Sequence, residues 1–233
     1  ALFGRPNKRP QPQTMVNHAN LAAWAADNQE LNANGGVMFT FDAIYERRMT
    51  VRDVLNDICA SARARLGMPD AKWGVIRDRA GLTPRQCVTP SNSIGFTEVE
   101  TYTDLPHALL VKFNDEEAGW RINQVAVPRA GYTLDPAADP GLEPATDFEV
   151  AEFVGVTRHD QAVILGRYHL GSAEFRPSKV QSRMGRDFLD FGRGDMVLAC
   201  HPVIGIGLGD GYIEQVTTDI EDRITAIVLD ETV

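Results

Sequence analysis

Five histidines are the first residues to consider for chemistry, because imidazole serves both as a metal ligand and as a general base. They are His18, His107, His159, His169 and His201. None belongs to an H-x-x-x-H or H-E-x-x-H pattern, which would place two imidazoles on one helix face. His159 and His169 fall in one predicted helix, but they are too far apart in sequence to share a turn. We interpret the histidines as solvated or hydrogen-bonded side chains and predict no metal site.

Carboxylates and serines give no stronger indication of an active site. Asp115, Glu116 and Glu117 are consecutive in a predicted turn, where they cannot lie across a substrate as a glycosidase pair does. Ser172 follows Gly171 inside a predicted helix and has no G-x-S-x-G elbow around it. The sequence therefore predicts a solvated hairpin tip and no catalytic residue. Carboxylates that are distant in sequence could still converge in the fold.

Two short motifs have simpler interpretations than binding. Glycines alternate over residues 205–211, but a phosphate-binding loop precedes a helix, and residues 212–216 have the pattern of a strand. A flexible β-turn is favoured, and no cofactor is predicted. Arg193-Gly194-Asp195 spells a cell-adhesion tripeptide. We interpret it as a turn that leads into a strand over 196–200.

The composition is that of an acidic globular protein. The 233 residues are 43% apolar and 24% charged, and the formal net charge of −9 argues against a basic groove for nucleic acid. No apolar run approaches the ~20 residues that a membrane span needs. A basic cluster near the start, Arg5, Lys8 and Arg9, is either a solvated leader or an arm that docks on an acidic partner. The chain begins at Ala1, and we expect it to be a fragment or processed product.

The cysteines are sparse. Cys59, Cys87 and Cys200 form no C-x-x-C pair and have no metal-like spacing. Such a set favours reduced thiols in a protein that is assembled in cytoplasm. Cys59 falls on the apolar side of a predicted helix, where it is expected to belong to the core.

The first predicted element is a leader, residues 1–36. It contains a helix that begins after the N-cap Asn17 and ends at about Leu31. A predicted strand-helix-strand domain follows over residues 37–93. Its first strand, Val37 to Tyr45, alternates apolar and polar residues. Its helix begins with a capping-box-like pair, Thr50 and Asp53, and is expected to end at Gly67. Its second strand covers 73–77.

Residues 94–233 are predicted to form a third, strand-dominated domain of barrel-like character. One helix, over about 157–175, is expected to begin at Thr157 with Asp160 as its capping partner and to end before Pro177. Residues 133–147 contain three prolines and are predicted to form an exposed loop. The predicted strands are 96–102, 108–113, 122–127, 148–153, 196–200, 211–216 and 224–229. The predicted class is α+β with two or three helices.

Five segments in order resemble the tip attachment protein J family of lambda-like phages, which has relatives in prophages and gene transfer agents. The segments are TFDAIYERRMTVRDVLNDICASAR at 40–63, DLPHALLVKF at 104–113, GVTRHDQAVILGRYHL at 155–170, RGDMV at 193–197 and ITAIVLDE at 224–231. Residues 1–36 have no counterpart that we recognise. The family's host-binding region and fibronectin-like modules are also absent from this sequence, so that the resemblance does not extend to host recognition.

The resemblance implies a structural role and no enzymatic activity. It implies a hub segment of a virion tail tip, assembled in the host cytoplasm. Its partners would be further copies of itself in a trimer and the distal tail and tape-measure proteins. The hub would surround the channel for DNA, and an acidic lumen would let DNA pass without binding, because it repels phosphate.

Two alternatives remain open. A cell-wall hydrolase carried by the tail tip would need acids, or a histidine with a nucleophile, that converge in a cleft. A glycan-binding module would need exposed aromatic faces, for which Trp24, Trp73 and Trp120 are candidates. Core packing is the better explanation of Trp24 and Trp73. Trp120 follows a turn and is the one expected to be available to a ligand.

Overall fold

The computed structural model describes residues 12–46, 48–78, 83–100, 104–186, 190–201, 213–218 and 224–229. It confirms the mixed α+β class, with three α-helices and many short strands in this part of the chain. The chain divides into two compact units, one of residues 1–80 and 100–178, the other of residues 81–99 and 179–233. Within the first unit, α1 and the segment after it pack with elements that follow residue 104.

The elements are numbered in chain order. The helices are α1 (His18–Asn28), α2 (Val51–Ala60) and α3 (His159–Phe175). The strands are β1 (Ala64–Gly67), β2 (Gly74–Arg77), β3 (Gln86–Val88), β4 (Ser93–Glu100), β5 (Ala108–Asp115), β6 (Arg121–Pro128), β7 (Tyr132–Thr133), β8 (Glu143–Pro144), β9 (Phe148–Glu152), β10 (Ser178–Met184), β11 (Val197–Ala199), β12 (Ile213–Thr218) and β13 (Ile224–Leu229). Among the described helices, none is long and apolar enough to cross a membrane.

The first two helices begin at the predicted caps. The side chain of Asn17 accepts a hydrogen bond from the Asn20 backbone N–H at 3.1 Å, and α1 starts at the next residue. Thr50 caps α2 in the same way: its Oγ1 accepts from the Asp53 backbone N–H at 3.2 Å. In both cases a side-chain oxygen satisfies an N–H group that has no partner within the helix.

The predicted end of α2 at Gly67 is wrong. The helix ends at Ala60, and Arg63 then adopts a left-handed backbone conformation, with φ of 49°, that turns the chain into β1. Gly67 lies at the end of β1, opposite Gly74 of β2 in an antiparallel pair. A Cβ atom at Gly67 would lie 2.7 Å from Cδ1 of Ile76, so this glycine serves close strand packing rather than helix termination.

The predicted strand from Val37 to Tyr45 is also wrong. Residues 39–46 belong to no sheet, although Phe39 is buried as the alternation requires. Their backbone groups find other partners: the side chain of Gln161 bonds Thr40, and the Asp42 N–H donates to the Gly155 carbonyl at 2.9 Å. The segment is extended, but a side chain and a few isolated backbone bonds, such as that from the Phe39 N–H to the Asn28 carbonyl, take the place of a neighbouring strand.

A three-stranded sheet and α3 form the main core of the first unit. Central β5 pairs with β6 in antiparallel and with β9 in parallel orientation. Helix α3 covers one face of this sheet. Its buried residues Ala162, Leu165 and Leu170 belong to one cluster with Leu109, Val111, Phe113 and Val127 of the sheet.

The predicted start of α3 needs a correction. The helix begins at His159, its N-cap is Arg158, and no side chain caps it. Thr157 is buried, and its hydroxyl has no hydrogen-bond partner among the described residues, so it does not cap the helix. Asp160 instead forms an ion pair with Arg158 and accepts a hydrogen bond from the side chain of Asn32. The side chain of Asp160 is thus engaged outside the expected capping box.

The described part of the second unit consists of paired strands. Parallel pairing joins β3 to β11, antiparallel pairing joins β12 to β13, and β4 pairs with β10. The predicted strands at 96–102, 196–200, 211–216 and 224–229 correspond to β4, β11, β12 and β13 where the structure describes them. The glycine run at 205–211 and the basic cluster at residues 5–9 lie outside the described residues.

Candidate interaction surface

The face of the three-stranded sheet opposite α3 carries apolar side chains. Leu109, Val111 and Phe113 of β5 point toward α3, and the alternation along a strand therefore places Leu110 and Lys112 on the other face. The register adds residues of the two neighbouring strands to that face. On β9, Val150 is level with Leu110, Glu152 with Lys112 and Phe148 with Ala108. On β6, Ile122 is level with Asn114. We call Leu110, Lys112, Ile122, Phe148, Val150 and Glu152 the outer sheet face.

The outer sheet face is accessible in this chain. Ile122 is 78% exposed, Val150 is 53% exposed and Phe148 is 43% exposed. Single exposed apolar residues are ordinary, but Phe148, Val150 and Leu110 are neighbours on this face, and an adjacent apolar group of this kind is the pattern of a surface that contacts another molecule. Lys112 and Glu152 lie level on adjacent strands, so opposite charges stand beside the apolar residues. Sequence reasoning missed this face, because alternation in a strand does not reveal which side a helix will cover.

A cleft of about 650 Å³ adjoins the outer sheet face. Trp120, Ile122 and Glu152 line it, together with Asp42 and Ile44 of the extended segment. Trp120 is 60% exposed, as expected for a residue that follows the turn. Its φ of 64° lies in the left-handed region, which is unusual for a bulky residue and costs conformational energy. The backbone thus holds a large aromatic side chain at the mouth of the cleft.

The hairpin tip beside Trp120 is built by Asp115. One carboxylate oxygen accepts from the backbone N–H groups of Glu117 and Ala118, and the other accepts from the Asn123 side chain at 2.8 Å. The hydrogen bond from Asn123 is the largest cause that lowers the pKa of Asp115, since it favours the ionised form. The three acids therefore form the predicted exposed hairpin tip, in which Asp115 organises the turn.

Three of the histidines have defined surroundings. Nδ1 of His107 accepts from the Thr146 backbone N–H at 3.2 Å, while its ring stacks on Tyr132. His169 contacts the ring of Phe153, and burial lowers its pKa, with the charge of Arg65 as a second cause. His159 approaches Phe113 edge-on. These contacts explain the three side chains as packing and hydrogen-bonding groups.

No cluster of three or more His, Cys, Asp or Glu residues able to hold a metal is found in the described part of the chain. The three cysteines are free, and Cys59 is buried in the core, as predicted. Arg193 and Gly194 form the expected turn before β11. Asp195 stabilises that turn, because its carboxylate accepts from the Gly192 N–H at 2.8 Å and pairs with Arg85 at 3.4 Å.

An acidic segment joins β6 to α3. Residues 130–157 contain six carboxylates and no Lys, Arg or His. The six are exposed: Asp135, Asp139, Glu143, Asp147, Glu149 and Glu152. The segment includes the edge strand β9, so the negative charge borders the outer sheet face.

Comparison of this sequence with models of known protein families and with curated proteins finds no match. The function must therefore be inferred from the motifs of the sequence and from the geometry of this surface.

Proposed function

We propose that this chain is a hub segment of the tail tip of a long-tailed bacteriophage, where it joins the tail tube to the tip around the DNA channel. In this role it is a structural component that acts through contacts with further copies of itself and with neighbouring tail proteins. The order of the five motifs suggests this assignment. The observation that carries it physically is the exposed outer sheet face.

A sheet that a helix covers on one side only requires a second layer to bury its other face. In an assembled hub, a neighbouring copy would supply that layer and complete a barrel-like domain from the open three-stranded sheet. Phe148, Val150 and Ile122 would then become buried, and burial of their exposed apolar area would favour association. Lys112 and Glu152 would help to fix the orientation of the partner, because charge pairs contribute mainly to specificity.

The acidic segment fits a channel for DNA. The exposed carboxylates of Asp135, Asp139, Glu143 and Asp147 lie in a segment without Lys, Arg or His and form a surface that repels phosphate. A surface of this kind on the channel wall would let DNA slide past without binding.

The association of the purified chain tests the proposal. Sedimentation velocity at rising protein concentration should show a trimer, and Val150→Glu should weaken association by at least about tenfold, since it buries a charge. Val51→Glu is the matched control, because Val51 is also an exposed valine but lies on α2. A chain that stays monomeric up to millimolar concentration, or an association that Val150→Glu leaves unchanged, would count against the proposal.

A second candidate function is glycan binding at the cleft beside Trp120. The exposed indole offers an apolar face, and Asp42, Lys112 and Glu152 offer hydrogen-bonding groups to hydroxyls in the same cleft. Binding to a glycan array that is lost in Trp120→Ala would support it. Asp42 and Glu152 both line this cleft, and a hydrolase would require their carboxylates to converge on a substrate. Both are exposed, whereas a general acid is usually desolvated. Release of peptidoglycan fragments by the purified chain would favour the hydrolase instead.

A further inference from the structure

A second cleft, of about 600 Å³, lies in the first unit and is distinct from the outer sheet face. Helix α1, the end of β2 and α3 border it. Three arginines and three carboxylates line it: Arg63, Arg77, Arg176, Asp27, Glu30 and Asp78. This concentration of charge around one cleft is not used by the proposed hub contacts.

Two buried donors from residues that line this cleft have no acceptor among the described residues. They are Nε1 of Trp24 and Nε of Arg63. A buried N–H group without a partner costs about 1–3 kcal/mol, and such groups are therefore rare in folded proteins. Both of these donors belong to residues that border the one cleft.

Apart from Glu30, the other charged side chains of the cleft are already engaged. Asp27 pairs with Arg77 at 2.5 Å. Asp78 accepts from both terminal nitrogens of Arg176, at 2.6 and 3.0 Å, and from the Tyr168 hydroxyl at 2.6 Å. These contacts leave Arg63 as the arginine of the cleft that forms no ion pair within the described residues.

The position of Arg63 is fixed by its surroundings. Its guanidinium carbon lies over the ring of Phe39 at 5.1 Å and over the ring of Tyr168 at 5.5 Å. These cation–π contacts, together with its left-handed backbone, hold the guanidinium at the cleft, where its charge acts on Asp78 although the two form no ion pair. A preorganised guanidinium loses little entropy when it binds a ligand.

We propose that this cleft binds a carboxylate group, with the Arg63 guanidinium and the Trp24 indole N–H as its donors. A guanidinium offers parallel N–H groups that match the two oxygens of a carboxylate. Equal numbers of arginines and carboxylates line the cleft, so a singly charged carboxylate fits it better than a phosphate dianion. Glu30 is exposed at the rim, where solvent screens its charge. The carboxylate could come from a small molecule or from an acidic side chain of a protein.

The two donors are themselves spectroscopic probes. In ¹H–¹⁵N spectra of the full chain, the Trp24 indole N–H and the Arg63 Nε–H signals should both shift in a saturable way. The titrants are sodium acetate, a capped peptide with one central glutamate, and sodium phosphate, each at constant ionic strength. Tighter binding of the peptide would assign the site to a protein side chain, and equal or tighter binding of acetate would assign it to a small carboxylate.

Arg63→Lys keeps a positive charge and a long side chain at this left-handed backbone position, but it removes the planar guanidinium. It should weaken binding of the carboxylate by about tenfold. Arg52→Lys on α2 is the matched control, because Arg52 is exposed and lies away from the cleft. The control should bind as the wild type does. The titration of the wild type decides the matter even if Arg63→Lys does not fold. Absence of a saturable shift with acetate and peptide, or saturation by phosphate alone, would overturn the proposal.

Discussion

The side-chain amide of Gln161 bonds both backbone groups of Thr40. Its Oε1 accepts from the Thr40 backbone N–H at 3.2 Å, and its Nε2 donates to the Thr40 carbonyl at 2.9 Å and to the Ser61 carbonyl at 3.1 Å. Gln161 is fully buried in α3. One amide side chain therefore acts as the strand neighbour that the segment around Thr40 lacks, and it ties the residues before and after α2 to α3.

Replacement of Gln161 should destabilise the first unit. In Gln161→Leu the part-buried N–H and carbonyl of Thr40 and the buried carbonyl of Ser61 lose this partner, and we expect the free energy of unfolding to fall by about 2–4 kcal/mol. Urea denaturation followed by circular dichroism measures this change. Gln181→Leu, at an exposed glutamine in β10, is the control and should change stability by less than about 0.5 kcal/mol. Equal effects of the two substitutions would contradict the role of Gln161.

This contact shows where prediction from sequence stops. The alternation over Val37 to Tyr45 correctly predicts an extended chain with Phe39 inward, but it does not state which groups satisfy the backbone. The partner at residue 161 is distant in sequence and lies in a helix. Helix starts were easier to predict, because an N-cap bonds a backbone N–H only three residues away. The N-caps Asn17 and Thr50 were both predicted correctly.

Close packing of α3 on the sheet depends on Gly166. A Cβ atom there would lie 2.9 Å from Cγ2 of Val127 and 3.0 Å from Cγ2 of Val111. Gly166→Ala should lower the free energy of unfolding by about 1–2 kcal/mol, because the clash outweighs the higher helix propensity of alanine. Gly171 lies in the same helix, and its nearest contact is 3.8 Å away. Gly171→Ala should therefore stabilise the chain by about 0.5–1 kcal/mol. Thermal denaturation measures both, and the same sign for both would contradict this account.

Trp120 should contribute little to the stability of the isolated chain. Its left-handed backbone costs conformational energy, and asparagine tolerates that conformation better. We expect Trp120→Asn to leave the free energy of unfolding unchanged or to raise it by up to about 1 kcal/mol. Trp73→Asn should lower it by about 2–4 kcal/mol, because Trp73 is half-buried and lines an apolar pocket. A loss of stability in Trp120→Asn as large as that in Trp73→Asn would show that Trp120 is a structural residue.

The stability of the first unit should depend on pH through Asp78. The hydrogen bonds from Arg176 lower the pKa of Asp78 from its ordinary value of 3.8, with a smaller contribution from Tyr168. A lowered pKa in the folded state means that this contribution to stability is complete above pH 3.8 and is lost as pH falls through the folded value. The difference in urea midpoint between wild type and Asp78→Asn should therefore be constant near neutral pH and should shrink in acid.

Arg176→Gln provides the check on this explanation, because it removes the largest cause of the lowered pKa. Its difference from the wild type should shrink over the same acidic range. A difference in urea midpoint that stays constant down to pH 2 in either variant would contradict the assignment of the pH dependence to this contact.

The candidate surface was less predictable than the fold. The sequence patterns predicted the elements β5, β9 and α3, but the outer sheet face exists only because α3 covers the side that carries Leu109 and Val111. From the sequence alone, Val150 and Ile122 would be assigned to the core because they are apolar, yet both are exposed. Likewise, the unpaired donors of Arg63 and Trp24 result from contacts between elements that are distant in the chain.

Electron cryo-microscopy of the tail tip of particles that carry this chain tests the central claim most directly. We expect three copies around the channel, with Ile122, Phe148 and Val150 covered by a neighbouring protein and the carboxylates of residues 135–147 facing the lumen. Density for the chain elsewhere in the particle, or an outer sheet face open to solvent in the assembled tip, would contradict the proposed hub.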